Sequence, residues 1–158
     1  MERSPEVVYR TFLSALNDRD VAAAAGCVDR VRYREDGVGF TGGWVGWTDA
    51  TASLERVWQG IPDLRVELAE VAVTATADGA AVVLAHGEAR GTADGRLYGA
   101  PATHRRYRAS YFDRVRVVDG LIVERVQQAD VLGQMRQLYG RALGAVGLSA
   151  MLWRLPAP

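Results

Sequence analysis

Asp130 is the carboxylate that the sequence places best for moving a proton. In the strand expected over 121–129, Ile122, Val126 and Gln128 fall on one side, and Asp130 continues that alternation. If this side faces a pocket, partial desolvation lifts the carboxyl from about 3.9 towards neutrality, the range suited to abstracting a proton alpha to a carbonyl. Asp130 also precedes a helix expected from Val131, where Asp is a favoured cap for backbone reasons alone. The two roles are compatible. His86 shares a side with Leu84 and Glu88 in the strand 80–91. Facing a pocket, it could polarise a carbonyl or share a proton with Asp130; facing outward, it is an ordinary strand histidine. Gln128 and Arg116 are candidates for holding a substrate oxygen or neutralising an enolate, with a surface ion pair as the plainer reading of Arg116. Phe12, Tyr33 and Trp58 are the expected aromatic walls, with Trp44, Trp47 and Tyr111 as further aromatics that would equally serve a core.

Other chemistries are closed by composition. The 19 basic residues are all Arg, so Schiff-base chemistry and a phosphate-loop lysine are excluded. A single cysteine, Cys27, excludes an internal disulfide and a thiolate zinc site, and His86 and His104 lack the spacing of a helical metal pair. No metal and no cofactor are expected. A formal net charge of +0 argues against nucleic acid or an anionic membrane as partner. No apolar run approaches the ~20 residues that span a bilayer. The start, lacking a basic segment followed by an apolar core, reads as a cytoplasmic protein without a signal peptide.

The elements that must position these residues come helices first. Ser4-Pro5 reads as a cap and first helical residue, with Val8, Phe12, Leu13 and Leu16 at helical spacing over 5–17. Asp20 caps a short helix, Val21–Ala25; Cys27–Glu35 alternates as a strand; a third helix runs from a Thr48 cap to Gln59. Strands follow at 64–76, 80–91, 103–118 and 121–129, turning at Asp78-Gly79, Asp94-Gly95 and Asp119-Gly120. The expectation is an α+β fold: a cone-shaped, curved antiparallel sheet with the N-terminal helices over its concave face, an α+β barrel enclosing an apolar pocket. A helix from about Val131 to Tyr139 precedes an apolar extension, 141–158, expected to act as a lid or a homodimer contact on a domain spanning 1–140.

Three stretches carry a likeness to a known family. They are Gly60-Ile61-Pro62-Asp63-Leu64; Gly91-Thr92 followed by Leu97-Tyr98-Gly99-Ala100-Pro101; and Val118-Asp119-Gly120-Leu121-Ile122-Val123-Glu124, then Asp130, Gln134, Gln137 and Leu138. In order and spacing the chain resembles the SnoaL-like polyketide cyclases of the nuclear transport factor two-like superfamily. The resemblance implies an intramolecular aldol ring closure of a polyketide-like small molecule, without metal or cofactor, with Asp130 as the acid/base. It also marks departures: Val126 stands where the family usually has Trp, reshaping the pocket, and Ala93 where relatives often have His.

Two other readings stay open. One is a related cofactor-free reaction such as epoxide opening, cycloaddition or isomerisation. Epoxide opening needs a carboxylate–Arg–carboxylate set, which Asp130, Arg116 and Glu88 supply only if all three point inward. The other is a non-catalytic module that binds a small molecule.

Overall fold

The computed structural model describes residues 3–37, 43–97 and 100–140. Helix α1 (Pro5–Asn17) begins where Ser4 accepts a hydrogen bond from the Val7 N–H, and α2 (Val21–Ala25) where Asp20 accepts from Ala23. Strand β1 (Arg34–Asp36), helix α3 (Trp47–Gly60) and strands β2 (Arg65–Ala75), β3 (Ala81–Thr92), β4 (Arg106–Val118) and β5 (Leu121–Ala129) follow. A last helix, α4, occupies 131–140. The sheet order is β1-β5-β4-β3-β2, antiparallel except that β1 runs parallel to β5. The α+β architecture is therefore as expected, but the sheet is mixed and does not close into a barrel.

Three local expectations change. Cys27–Glu35 is not one strand. The Asp29 carboxylate accepts from the N–H groups of Val31 and Arg32, turning the chain before it extends at Arg34. Helix α3 starts at Trp47 with Gly46 in the cap position, without a side-chain cap from Thr48. The Asp94-Gly95 pair makes no tight hairpin, because β3 ends at Thr92 and β4 begins at Arg106. Gly95 instead donates to the Gly60 carbonyl at 3.0 Å, tying that connection to the end of α3. At Asp119-Gly120 both residues do take positive φ (52° and 71°), as a mirror-type hairpin turn demands.

The register of β5 decides what the cavity contains. Val117 lies opposite Ile122, yet Arg116 lies opposite Glu124, so Val123 is an extra, bulged residue. A bulge reverses the alternation beyond it. Ile122 is wholly buried in the core, whereas Arg125, Gln127 and Ala129 line the concave face and Glu124, Val126 and Gln128 turn to the convex one. There Glu124 bonds Arg34 and Arg114. Burial pushes its carboxyl upward, but the hydrogen bonds from Arg114 and Arg34 outweigh it and hold the group below the usual range.

The main core joins α1 and α2 to the sheet through Val8, Phe12, Ala24, Val83, Val115 and Ile122. A second cluster seats α4, with Met135 and Leu138 against Tyr107 and Ala109. At the far edge, the Asn17 side chain takes both backbone groups of Val66 in β2, at 2.8 and 2.9 Å. Among the described residues no helix is long and apolar enough to cross a membrane. The extension 141–158 and the Tyr98-Gly99 pair lie outside the described residues.

Candidate active site

A cavity of about 150 Å³ opens between α1, α3 and the concave side of the sheet. Its walls are mostly apolar, with Phe12 from α1, Leu54 and Trp58 from α3 and Val66 from β2. Trp47 meets Phe12 at 6.5 Å and stands edge-on to Tyr33 at 5.4 Å, which fixes the aromatic wall. Five polar side chains interrupt that lining from the sheet: Glu35, Arg125, Gln127, Tyr107 and Tyr111.

Two of them, Glu35 and Arg125, belong to an ionic set that the topology assembles from three strands, a helix and the residue before β1. Arg125 on β5 donates from Nη1 to Glu35 Oε1 at 3.1 Å, and from Nε and Nη2 to Asp113 Oδ2 at 3.1 and 2.9 Å. Tyr33 donates to Glu35 Oε2 and Tyr9 of α1 to Asp113 Oδ2, each at 2.7 Å. All of these groups are buried, Asp113 completely at its side chain. Burial alone would drive the Arg125 guanidinium towards losing its proton, but the flanking Asp113 and Glu35 carboxylates more than reverse this, so it stays charged. Burial, reinforced by the adjacent carboxylates, raises the phenols of Tyr9 and Tyr33 well above their ordinary range, so both remain donors. Arg125 also lies over the Phe12 ring, 5.6 Å from its centre. With two carboxylates against one guanidinium the set carries a formal charge of −1, and Glu35 is the carboxylate at the cavity wall.

The residues singled out by sequence divide sharply. Phe12 and Trp58 line the cavity, and Tyr33 sits directly behind it as the partner of Glu35. Val126 and Gln128 turn to the convex face because of the bulge at Val123. Arg116 also lies on that face and pairs with Asp78, while Glu88 pairs with Arg108. His86 stacks on Phe112 with ring centres 4.6 Å apart, and Phe112 is 57% exposed, so this pair too belongs to the outer face. The set Asp130–Arg116–Glu88 is thus not assembled.

Asp130 is exposed, and its Oδ1 accepts from the Gly133 N–H at 2.8 Å, the bond of a helix N-cap. Gly133 is needed for that close seat, since a Cβ there would fall 2.0 Å from Asp130 Oδ2. Of the two roles open to Asp130, the geometry supplies the cap and puts the carboxylate outside the cavity lining. Asp130→Asn is expected to keep both stability and turnover, and Asp130→Ala to lose about 1 kcal/mol in urea denaturation with turnover unchanged. A large loss of turnover in Asp130→Asn with the fold intact would return this carboxylate to the chemistry.

Glu35, Asp113 and Arg125, the ionic set at the cavity, are not singled out by the sequence. For Asp113 a signal existed. It shares a side of β4 with Tyr107, Tyr111 and Val115, opposite a row of Arg106, Arg108, Arg114 and Arg116. An acid on the apolar side of a strand must find a partner.

Solved structures share this architecture. IdmH of Streptomyces antibioticus, provisionally assigned as a polyketide cyclase, superposes with a TM-score of 0.75 at 19% identity, over 85% of this chain and 98% of its own. TsrD of Streptomyces laurentii gives 0.71 at 24% identity, over 86% and 95%. A protein of Jannaschia sp. CCS1, provisionally a SnoaL-like polyketide cyclase, gives 0.73 at 19%, over 89% and 99%. At these identities the likeness is one of fold. No curated protein sequence matches the chain significantly. The family description "SnoaL-like polyketide cyclase" matches residues 6–138, covering the helices, the whole sheet and both sides of the cavity. The chain belongs to the SnoaL-like polyketide cyclase family.

Proposed function

We propose that the protein closes a ring in a carbonyl-rich, polyketide-like small molecule, without a cofactor, using Glu35 as the acid/base. The observation that carries this reading is the Glu35 carboxylate at the wall of an apolar cavity, held by Arg125 and Tyr33. Glu35 takes a proton from a methylene between two carbonyl groups. The enolate carbon attacks an internal carbonyl carbon, forming the C–C bond, and the alkoxide that results takes the proton back from Glu35. Protonation at Glu35 leaves the Arg125–Asp113 pair neutral, so the negative charge passes from a buried ionic set to the enolate beside it. Aligning the two reacting carbons within one molecule can itself supply ~7–11 kcal/mol of the barrier.

Size limits what enters. About 150 Å³ encloses roughly one ring, as benzene fills an engineered cavity of that volume, so the reacting end is enclosed and the remainder extends through the mouth. The test follows the first proton. Ethyl benzoylacetate, a single-ring β-keto ester, is incubated with the protein in D₂O, and loss of its methylene signal is followed by NMR. Exchange well above the buffer rate is expected, and exchange at the buffer rate refutes the reading.

A second reading rests on the same residues. Glu35–Arg125–Asp113 is a carboxylate–Arg–carboxylate set, the arrangement that epoxide opening requires. Conversion of styrene oxide to its diol, in place of methylene exchange, would favour it.

A further inference from the structure

The bulge at Val123 exchanges one glutamine for another. Gln128 turns to the convex face, and Gln127 takes its place on the concave one, two residues beyond Arg125. Most polar side chains of the lining are spent inside the fold: Glu35 and Arg125 on each other, Asn17 on the Val66 backbone, and Thr51 on carbonyls of its own helix. Gln127 and, from α4, Gln134 are not. Both line the cavity, both are half-buried, and neither side-chain amide makes a hydrogen bond among the described residues.

The fold brings these amides to one end of the cavity. Strand β5 ends at Ala129, opposite Tyr111, so the part of β4 nearer Arg106 has no β5 residue beside it. Helix α4 takes over there. The Gln137 amide accepts from the Arg108 N–H at 2.9 Å and donates to the Arg108 carbonyl at 2.8 Å, while Met135 and Leu138 pack with Tyr107 and Ala109. That anchoring fixes Gln134 one turn earlier, where its N–H donates to the Asp130 carbonyl at 3.0 Å, next to the end of β5. Around Gln127 there is room, because Ala129, the next residue on that face, is short. Strand β1 has ended at Asp36, and a Cβ at Gly37 would fall 3.3 Å from Gln127 Cβ, so a side chain there would press on the glutamine. Glu35 pairs in register with Arg125, which puts Gln127 about 7 Å along β5 from that pair. Among the described lining residues only Glu35 and Arg125 carry charge, so the far end of the floor is polar but neutral.

We propose that Gln127 and Gln134 orient the substrate by binding a hydroxyl on its ring, remote from the carbon that Glu35 deprotonates. Each amide offers a carbonyl acceptor and an NH₂ donor, and a hydroxyl both donates and accepts. It gives its hydrogen to one Oε1 and takes one from the other Nε2. The Glu35 end competes poorly for that hydroxyl, because both carboxylate oxygens already accept, from Arg125 and Tyr33. The ligand class selected is a flat ring with a hydroxyl at one end and the reacting carbonyl groups at the other. This deepens the ring-closure reading and rests on it for the reacting end alone; the hydroxyl end is a matter of binding.

The test separates the two ends. 3-Hydroxyacetophenone and 3-methylacetophenone have nearly the same shape and differ by a hydroxyl in place of a methyl group. By NMR titration, the wild-type protein is expected to bind the hydroxyl compound about three- to tenfold more tightly, the span of one neutral hydrogen bond. The side-chain NH₂ signals of Gln127 and Gln134 should shift with it and not with the methyl compound. Met is close to Gln in length and unbranched, and the double variant Gln127→Met/Gln134→Met is expected to lose the preference while still binding 3-methylacetophenone. The single variants, each expected to lose part of it, carry the same test should the double variant not fold. Glu35→Gln should retain the preference, so failure of the acid/base reading, which methylene exchange detects, leaves this outcome intact. A wild type with no preference, Met variants that keep it in full, amide signals that do not respond, or loss of the preference in Glu35→Gln would each overturn the proposal.

Discussion

Replacing Arg125 by Met is expected to lower the free energy of unfolding by about 3–5 kcal/mol, read from urea denaturation at neutral pH. The guanidinium is 6% exposed and spends three of its donors on two carboxylates. Removing it strands Glu35 and Asp113 as buried like charges in a low-dielectric core, which is far more unfavourable than losing the attraction itself. Lys would not restore the arrangement, because a point ammonium cannot present the fork that reaches Asp113 with Nε and Nη2 and Glu35 with Nη1. Adding Glu35→Gln and Asp113→Asn to Arg125→Met should recover much of the loss, since no charge is then stranded. A single Arg125→Met variant within 1 kcal/mol of wild type would mean that the set is solvated or protonated rather than ionic.

Glu35→Gln is expected to leave the fold in place and reduce turnover by about 10²–10⁴-fold, the usual contribution of a positioned general acid/base. Gln keeps the size of Glu and an oxygen that can still accept from Arg125 Nη1 or Tyr33. What it lacks is the capacity to carry a proton away and return it. The variant also makes the remaining Arg125–Asp113 pair neutral, so stability should hold or rise. The loss should appear in kcat, with KM nearly unchanged, because the group acts on the transition state rather than on binding. Turnover close to wild type would remove Glu35 from the mechanism.

Much of this architecture is legible from the sequence, and the site is not, for identifiable reasons. The caps at Ser4 and Asp20 and the turn at Asp119-Gly120 are local signals, and each forms where its residues indicate. The wall residues Phe12 and Trp58 follow from helical periodicity. The polar floor depends on information that periodicity lacks. One inserted residue, Val123, turns Asp130, Gln128 and Val126 away from the pocket and Arg125 into it, and no composition signal marks a bulge at a Val between Ile122 and Glu124. Glu35 belongs to a three-residue strand that bridges Val45 locally, but what brings it to Arg125 is the parallel pairing with β5, some 90 positions further along the chain. Such a contact has no local signature.

The clamp of Asn17 on Val66 bears on how copies of the chain behave towards one another. β2 is an 11-residue outermost strand, and its free side offers backbone donors and acceptors to any extended segment that approaches. Asn17 consumes the two groups of Val66, and the irregularity between Leu68 and Glu70 interrupts the strand's flatness. Together they deny fibril growth a straight template while leaving the strand in place beside the cavity.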